Sequence, residues 1–213
     1  MSGRLIVIEG LDGSGKQTQA ELLRARLPGA LKISFPDYQS PSSSLIKMYL
    51  NGEFGEDADD VNCYAASTFY AVDRFASYAK NWRQNLDNGA LIIADRYVTS
   101  NMIHQGCKAD DLDKYLNWLA DFEYNLLALP KPDEVIFLKV PPPYAALLRQ
   151  GRAQKFDGSD IHERDFAYLE KCYETALYAA EKYSWHVVDC IKDGTFRSKE
   201  EICDEIFGLL SKK

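Results

Sequence analysis

The chain has 213 residues, of which 46% are hydrophobic and 27% are charged, and its formal net charge is −7. A chain of this length can bury a substantial core, and we expect one domain spanning residues 1–213. The negative charge argues against nucleic acid as a general partner, because surfaces that bind polyanions are usually basic. A small phosphorylated ligand needs only a local positive pocket, which an acidic protein can still form.

Apolar runs in five places predict fully buried parallel strands separated by helices. These runs cover residues 5–8, 31–34, 91–94, 135–140 and 186–188. Apolar residues recur at three and four positions over 166–180 and 202–210, and Ser198 with Glu201 fits a capping box at the start of the last helix. The proline run at 141–143 should end a strand and begin a helix. The alternation predicts an α/β fold with helices on both faces of an open parallel sheet.

Residues 10–18 read GLDGSGKQT and lie between the first apolar run and a helical run. Glycines in this setting let backbone N–H groups surround phosphate oxygens, while the helix N-terminus and a lysine add positive charge. We therefore predict a phosphate-binding loop, the P-loop, with Lys16 as its charged contact. Gln17 stands where the pattern has Ser or Thr.

Polar residues follow the next strands, at the edge of the sheet where ligands of such folds bind. The second run continues into S-F-P-D-Y at 34–38, and the third into D-R-Y-V-T-S-N at 95–101. An acid such as Asp95 near a P-loop can hold Mg²⁺, directly or through water. A helix N-cap or a salt bridge with Arg96 is an equal alternative for this residue.

Two further segments carry side chains suited to a nucleotide. Tyr70 and Arg74 share a helix face, which suits a tyrosine that stacks on a base and an arginine that hydrogen-bonds the edge of that base. The alternative is a core aromatic beside a surface arginine. Arg149 and Arg152 lie in a segment of three cations and no acid around Gly151. We expect a lid there whose arginines neutralise charge on a transferring phosphoryl group, with a solvated charged face as the alternative.

Taken together, these segments resemble thymidylate kinases over nearly the whole chain. The D-R-Y strand end with the Tyr70–Arg74 pair is the most specific part, since the P-loop alone fits any P-loop kinase. The resemblance implies a three-layer P-loop kinase fold with a five-stranded parallel sheet, helices on both faces and a short basic lid at about 149–162. It also implies ATP-dependent phosphorylation of dTMP to dTDP with Mg²⁺ by a homodimer.

The same resemblance implies roles for individual residues. Those expected in catalysis are Lys16, Asp95, Arg96 and Arg152. Those expected to bind ATP are Gly10, Leu11, Asp12, Gly13, Ser14, Gly15, Lys16, Gln17, Thr18 and Arg149. Those expected to bind the acceptor nucleotide are Asp12, Phe35, Tyr38, Tyr70, Arg74, Arg96, Ser100, Asn101, His104, Gln105 and Glu163. Mg²⁺ would be held by Asp95 and Gln17.

Within these sets the resemblance implies particular contacts. Tyr70 should stack on thymine, Arg74 should reach the base edge, and Asn101 should add a second base contact. Asp12 should bind the 3′-hydroxyl of the sugar. Arg96 should hold the acceptor phosphate with Tyr38 close by, and Arg152, supported by Arg149, should stabilise the transferring group. Residues 189–195 lie on the expected adenine side.

Other functions of the same fold stay open from sequence. His104 stands where the family usually has Tyr or Phe against a 2′-hydroxyl, so discrimination against ribose is undecided. A kinase of another nucleoside monophosphate is one alternative. A deoxynucleoside kinase is a second, with Glu9 near the position of its base, although Arg96 favours a charged acceptor. A non-catalytic nucleotide-binding protein is a third, and Gln17 is its only support.

The five cysteines lie far apart without a C-x-x-C pair, and the three histidines do not cluster. This pattern predicts reduced thiols in a cytoplasmic protein. The apolar run that ends at Glu9 is too short for a signal peptide or a membrane span, so we expect no membrane partner.

Overall fold

Five parallel strands form the central sheet in the order β2-β3-β1-β4-β5. The computed structural model describes residues 3–55, 57, 59–150 and 166–211, without the side chains of 149 and 150. The strands are β1 (Arg4–Glu9), β2 (Leu31–Ser34), β3 (Leu91–Asp95), β4 (Glu134–Lys139) and β5 (His186–Asp189). The five predicted strands are therefore confirmed, with ends that shift by one residue at most.

Helices connect the strands and follow the predicted pattern. They are α1 (Lys16–Arg26), α2 (Ser44–Leu50), α3 (Cys63–Ser77), α4 (Arg83–Asp87), α5 (Val98–His104), α6 (Leu112–Ala120), α7 (Pro142–Gln150), α8 (Phe166–Lys182) and α9 (Lys199–Leu210). Two π-helical stretches, Tyr78–Trp82 and Asp121–Leu126, follow α3 and α6 directly. A short antiparallel pair, β6 (Ile191–Lys192) and β7 (Thr195–Phe196), follows β5.

The core lies on both faces of the sheet because alternate residues of a strand point to opposite sides. Leu5 and Val7 of β1 belong to a buried cluster that includes residues of α5, α6 and α8. Ile6 and Ile8 belong to a second cluster that includes residues of α1 and α9. The predicted three-layer arrangement, with helices on both faces, is thereby confirmed.

The two edge strands are less buried than the sequence predicts. Continuous apolar runs indicate full burial, and this holds for most of β1, β3 and β4. In β2, however, Leu31 is 38% exposed, and in β5, Val187 is 41% exposed. The expectation of full burial is wrong for these strands because each has a neighbour on one side only.

Two further features concern the cysteines and the helices. All five cysteines are free thiols. Within the described ranges, no helix combines the length and the apolar character needed to cross a membrane.

The sequence signals for two helix starts are confirmed. The proline run at 141–143 separates β4 from α7, which begins at Pro142. At the start of α9 the Ser198 Oγ accepts the Glu201 N–H at 3.1 Å, and Glu201 Oε2 accepts the Ser198 N–H at 2.9 Å. This reciprocal capping satisfies two backbone donors that the helix itself leaves unpaired.

We predict that Ser198→Ala lowers the free energy of unfolding by about 1 kcal/mol, because the α9 N-terminus loses its cap. Urea denaturation followed by circular dichroism measures the difference. Ser211→Ala removes a hydroxyl that bonds the Phe207 carbonyl at the other end of α9, and serves as the control with an expected change of less than about 0.5 kcal/mol. Equal losses in the two variants would contradict the role of the cap.

Candidate active site

A cavity of about 380 Å³ lies beyond the carboxyl ends of β1, β2 and β3. This volume is typical of small-molecule sites, and the position is where α/β sheets bind ligands. The predicted site residues that line it are Asp12, Gly13, Gly15, Lys16, Gln17, Phe35, Tyr38, Tyr70, Arg74, Asp95, Arg96, Ser100, Asn101, His104 and Gln105.

Four predicted residues of the described chain do not line this cavity. They are Gly10, Leu11, Ser14 and Thr18, which lie in the P-loop or the first turn of α1. The side chain of Arg149, and the whole of Arg152 and Glu163, lie outside the described residues.

The P-loop has the backbone geometry of an anion site. Gly13 and Gly15 have φ angles of +87° and +88°, which favour glycine, and Gly15 caps α1 without any side-chain hydrogen bond. A Cβ at Gly10 would lie 2.4 Å from the Ser14 Oγ, so a larger residue would collide there. The Ser14 Oγ is buried and has no hydrogen-bond partner in the described structure. Unpaired donors at a helix N-terminus suit phosphate oxygens.

Lys16 is a buried cation at the start of α1. Its Nζ donates to the Leu11 carbonyl at 2.8 Å and lies 3.9 Å from Asp12 Oδ1. Burial and the nearby Arg96 guanidinium lower the pKa of Lys16 to about 8, although Asp12 acts in the opposite direction. The site therefore holds a positive charge that an anionic ligand would stabilise.

Arg96 supplies a second cation from the corner between β3 and α5. Its φ of +69° lies in the left-handed region, where a residue other than glycine is strained. The guanidinium forms a close ion pair with Asp12, and its Nη1 lies 3.3 Å from the Ser100 Oγ and 3.2 Å from the His104 Nε2. Burial lowers the pKa of Arg96, but Asp12 and neighbouring acids raise it by more, so the group keeps its charge.

Glu9 holds this corner in place. The Glu9 carboxylate is fully buried and accepts hydrogen bonds from the Tyr97 N–H at 3.2 Å, the Thr99 hydroxyl at 2.7 Å and the Ser100 hydroxyl at 2.8 Å. It is not among the described residues that line the cavity. Its oxygens are thus engaged in structure, which disfavours Glu9 as the base of a deoxynucleoside kinase.

Asp95 and Gln17 offer the oxygen atoms that Mg²⁺ prefers. The Asp95 side chain is nearly buried and has no hydrogen bond or ion pair with the described residues. The residue at the N-cap of α5 is Tyr97, which makes no side-chain capping bond there, and Arg96 pairs with Asp12. Both structural alternatives for Asp95, the helix cap and the Arg96 salt bridge, are therefore wrong. Gln17 is exposed and its Nε2 lies 3.5 Å from a Glu21 oxygen, which leaves its amide oxygen as an acceptor. This donor set fits a magnesium ion that keeps several waters.

The Tyr70–Arg74 pair lies on α3 as predicted, but Arg74 is not a surface residue. Arg74 is 1% exposed, and its Nε and Nη2 donate to the two carboxylate oxygens of Glu123 at 2.7 and 2.5 Å. Asn101 Nδ2 also lies 3.4 Å from Glu123 Oε1. The Gln105 Oε1 nearby is buried and has no hydrogen-bond partner in the part of the chain described.

Sequence reasoning misses Glu123 and Asp73. Glu123 lies 49 residues from its partner Arg74, so no local pattern links them. The buried Asp73 accepts the Asp37 N–H at 2.8 Å and the Ser42 hydroxyl at 2.5 Å, which ties the loop after β2 to α3. The only signal for Asp73 in the sequence is its position directly before Arg74, the candidate base-binding arginine.

The loop that Asp73 holds carries Phe35 and Tyr38. Phe35 is buried against Tyr97, with ring centroids 6.0 Å apart, and it lines one wall of the cavity. Tyr38 is 48% exposed at the cavity mouth. The two predicted substrate residues thus differ: Phe35 is part of the core, and Tyr38 is exposed at the cavity mouth.

A larger cavity of about 1610 Å³ is lined by none of the predicted site residues that the structure describes. Its described lining includes five aspartates, Asp57, Asp59, Asp60, Asp110 and Asp111, against three lysines. An acidic lining opposes binding of a nucleotide, because the phosphates repel carboxylates. The smaller cavity is therefore the candidate active site.

We predict that Lys16→Met stabilises the ligand-free protein at pH 7 and that this advantage disappears at high pH. The pKa of Lys16 is about 8 in the folded chain, and its ordinary value is 10.5. Between these two pH values the unfolded chain keeps a proton that the folded chain has lost, so the free energy of unfolding of the wild type rises with pH. The stability difference between the variant and wild type should shrink by about 3 kcal/mol from pH 7 to pH 10.5. Urea denaturation of both proteins measures this difference, and a constant value would contradict a lowered pKa.

Comparisons with known proteins agree with this site. The family model for thymidylate kinase matches residues 8–202. A thymidylate kinase from Mycobacterium tuberculosis is 37% identical over 171 residues, which are 76% of this chain and 78% of that protein. A probable thymidylate kinase from Pyrobaculum aerophilum is 29% identical and covers 97% of this chain and 96% of its own length.

A solved structure shows the same fold. The thymidylate kinase of Candida albicans superposes with a TM-score of 0.74 at 24% identity, over 99% of this chain and 92% of that chain. The five-stranded parallel sheet and the surrounding helices are common to both. By its sequence and its fold, the chain belongs to the thymidylate kinase family, a family of nucleoside monophosphate kinases and therefore of phosphotransferases.

Proposed function

We propose that this chain transfers the γ-phosphoryl group of ATP to dTMP, which gives dTDP and ADP. One observation carries the proposal: the P-loop cation Lys16 and the corner cation Arg96 line one cavity, beside Asp12. A donor phosphate at the P-loop and an acceptor phosphate at Arg96 would then meet between the two cations. A protein that only binds nucleotide has no need of a second cation at the acceptor end.

The acceptor phosphate is already an oxyanion, so the reaction needs no strong general base. Catalysis by this chain would consist of positioning and neutralisation of charge. Arg96 holds the acceptor phosphate, with Ser100 fixed beside it by Glu9 and Tyr38 at the cavity mouth. Asp12, released from Arg96 when a phosphate takes its place, accepts the 3′-hydroxyl of the sugar. His104, 3.2 Å from Arg96, faces the same sugar.

The donor ATP lies with its phosphates in the P-loop. The P-loop N–H groups and Lys16 contact its oxygens. Asp95 and Gln17 would hold Mg²⁺, which when bound screens the charge of the phosphates. A cavity of about 520 Å³ lined by Thr195, among others, follows β5 and suits the adenine end.

The base end of the cavity fits thymine. Half-buried Tyr70 offers a ring for stacking, and the Arg74 guanidinium offers a donor to the C4 carbonyl. The buried, unpaired Gln105 Oε1 and the Asn101 amide offer acceptors to the N3–H. A keto pyrimidine satisfies all of these groups, whereas cytosine would set its amino group against the arginine.

We extend the proposal to the parts of the chain beyond the cavity. Arg152, supported by Arg149, stabilises the transferring group from a lid at about 149–162, within one domain, and Glu163 lies near the sugar. Homodimerisation is supported by exposed apolar side chains on α3, Val72 and Phe75. A cytoplasmic location and the lack of a nucleic-acid partner stay predictions.

A coupled assay of ADP formation with dTMP, dUMP, UMP and dCMP tests the proposed function. We expect the highest kcat/KM with dTMP and the lowest of the four with dCMP, because only cytosine lacks the keto edge. Lys16→Met is the inactive control and should lose at least about 100-fold in kcat. No turnover of dTMP, or equal turnover of dCMP, would contradict the proposal.

A separate experiment tests the lid. Arg152→Ala should lower kcat about 100-fold while the dissociation constant of dTMP changes less than about threefold, since the contact forms mainly in the transition state. Arg152→Lys keeps the charge and should recover part of the rate. An unchanged kcat in Arg152→Ala would remove the lid from the mechanism.

A further inference from the structure

The carboxylate of Glu123 contacts Arg74 and Asn101, two of the polar residues that we assign to the base. It is fully buried in the π-helical stretch Asp121–Leu126, and its oxygens accept from Arg74 Nε at 2.7 Å, Arg74 Nη2 at 2.5 Å and Asn101 Nδ2 at 3.4 Å. Glu123 itself is not among the described residues that line the cavity. It therefore acts on a ligand only through its partners.

The contact with Glu123 determines which hydrogen-bond donor of Arg74 remains available to a ligand. Of the three guanidinium nitrogens, Nε and Nη2 are engaged by Glu123, and Nη1 has only a long contact of 3.4 Å to the Tyr97 carbonyl. Nη1 carries two hydrogens, so at least one is available at the cavity that Arg74 lines. Arg74 thus presents a hydrogen-bond donor. Burial lowers the pKa of Arg74, but Glu123 raises it by more, which keeps that donor charged.

The same carboxylate determines how the Asn101 amide is oriented. Asn101 Nδ2 donates to the Ser67 carbonyl at 3.2 Å and to Glu123 Oε1 at 3.4 Å, which uses both of its hydrogens. The reverse orientation would place the Asn101 oxygen against two acceptors, which is unfavourable. The atom that remains is Oδ1, a hydrogen-bond acceptor, on a residue that lines the cavity.

We infer that Glu123 is a positioning residue that sets the order of donor and acceptor in the base pocket. With Arg74 held as a donor and Asn101 as an acceptor, the pocket complements the C4 carbonyl and the N3–H of thymine or uracil. Cytosine presents the opposite order, an amino donor and a ring acceptor. The inference rests on the proposed function for the location of the base, and extends it to a residue that does not contact the substrate.

A purely structural role explains Glu123 less well. Replacing a buried ion pair by apolar residues often leaves stability unchanged or raises it, so stability alone does not require this pair. The π-helical turn that carries Glu123 is a rare conformation that is found mostly at functional sites. A selectivity role accounts for both the buried charge and its local backbone.

The test compares dissociation constants of dTMP and dCMP, measured by calorimetry on the full chain. We expect wild type to prefer dTMP, and Glu123→Gln to reduce the ratio of the two constants by about tenfold or more, because the neutral amide no longer holds both partners in one orientation. Glu123→Asp keeps the charge and should give an intermediate ratio. Because the ratio is taken within one protein, a partly unfolded sample does not alter it.

Glu134→Gln is the matched control. Glu134 is also a buried acid with a side-chain partner, since its Oε2 lies 2.9 Å from His186 Nε2, but it does not line the cavity. This variant should lose stability and keep the wild-type ratio within about twofold, since it leaves Arg74 and Asn101 in place.

Equal loss of affinity for both nucleotides, or an unchanged ratio in whichever Glu123 variant folds, would overturn the inference. The absence of any base preference in wild type would overturn it as well. Failure of this inference can be distinguished from failure of the proposed function, because calorimetry measures binding and does not require phosphoryl transfer. A chain that binds dTMP selectively through Glu123 and yet fails to phosphorylate it would overturn only the proposed function.

Discussion

Repulsion between the buried Lys16 and the partly buried Arg96 organises the active site. Lys16 and Arg96 come from different strand ends, and burial of the lysine together with the nearby Arg96 guanidinium lowers the pKa of Lys16. In the ligand-free chain, Asp12 offsets this repulsion by pairing with both. A charge arrangement of this kind lowers the stability of the ligand-free fold. It favours the binding of phosphate groups, because they supply the missing negative charge. Stability is thus exchanged for affinity at the site where phosphates would meet.

Three buried carboxylates form the frame around these cations. Glu9 holds the corner that carries Arg96, Asp73 holds the loop after β2, and Glu123 holds Arg74. Each accepts several hydrogen bonds from groups that would otherwise be mobile. In a low-dielectric interior such bonds are strong and directional, so the site is preorganised before any ligand binds. None of the three lines the cavity among the described residues.

Gln17 takes on a different meaning in this setting. As an isolated departure from the P-loop pattern, it is compatible with a protein that has lost catalysis. In the structure it stands at the first turn of α1, on the cavity that also holds Asp95 and both cations. Lys16, Asp95 and Arg96 line the same cavity as Gln17, which favours an altered way of holding Mg²⁺ over an inactive site.

Local chemistry was enough to predict much of this molecule. Five strands, the P-loop, the last helix and its capping box, and most residues of the cavity follow from apolar periodicity, glycine positions and strand ends, because these depend on near neighbours in the chain. Long-range pairing was not predictable in this way. Burial of the edge strands depends on strand order. Whether Asp95 pairs with Arg96 depends on the partner of Arg96, which is Asp12.

The sequence by itself therefore determined which chemical groups reach the carboxyl edge of the sheet. Only the tertiary structure decided how those groups are paired. Arg74 is the clearest example: its spacing from Tyr70 predicts a shared helix face, but its charge is satisfied by Glu123, 49 residues away. Ion pairs of that kind form between segments that the fold brings together, and their energy depends on burial and geometry, which no local sequence pattern encodes.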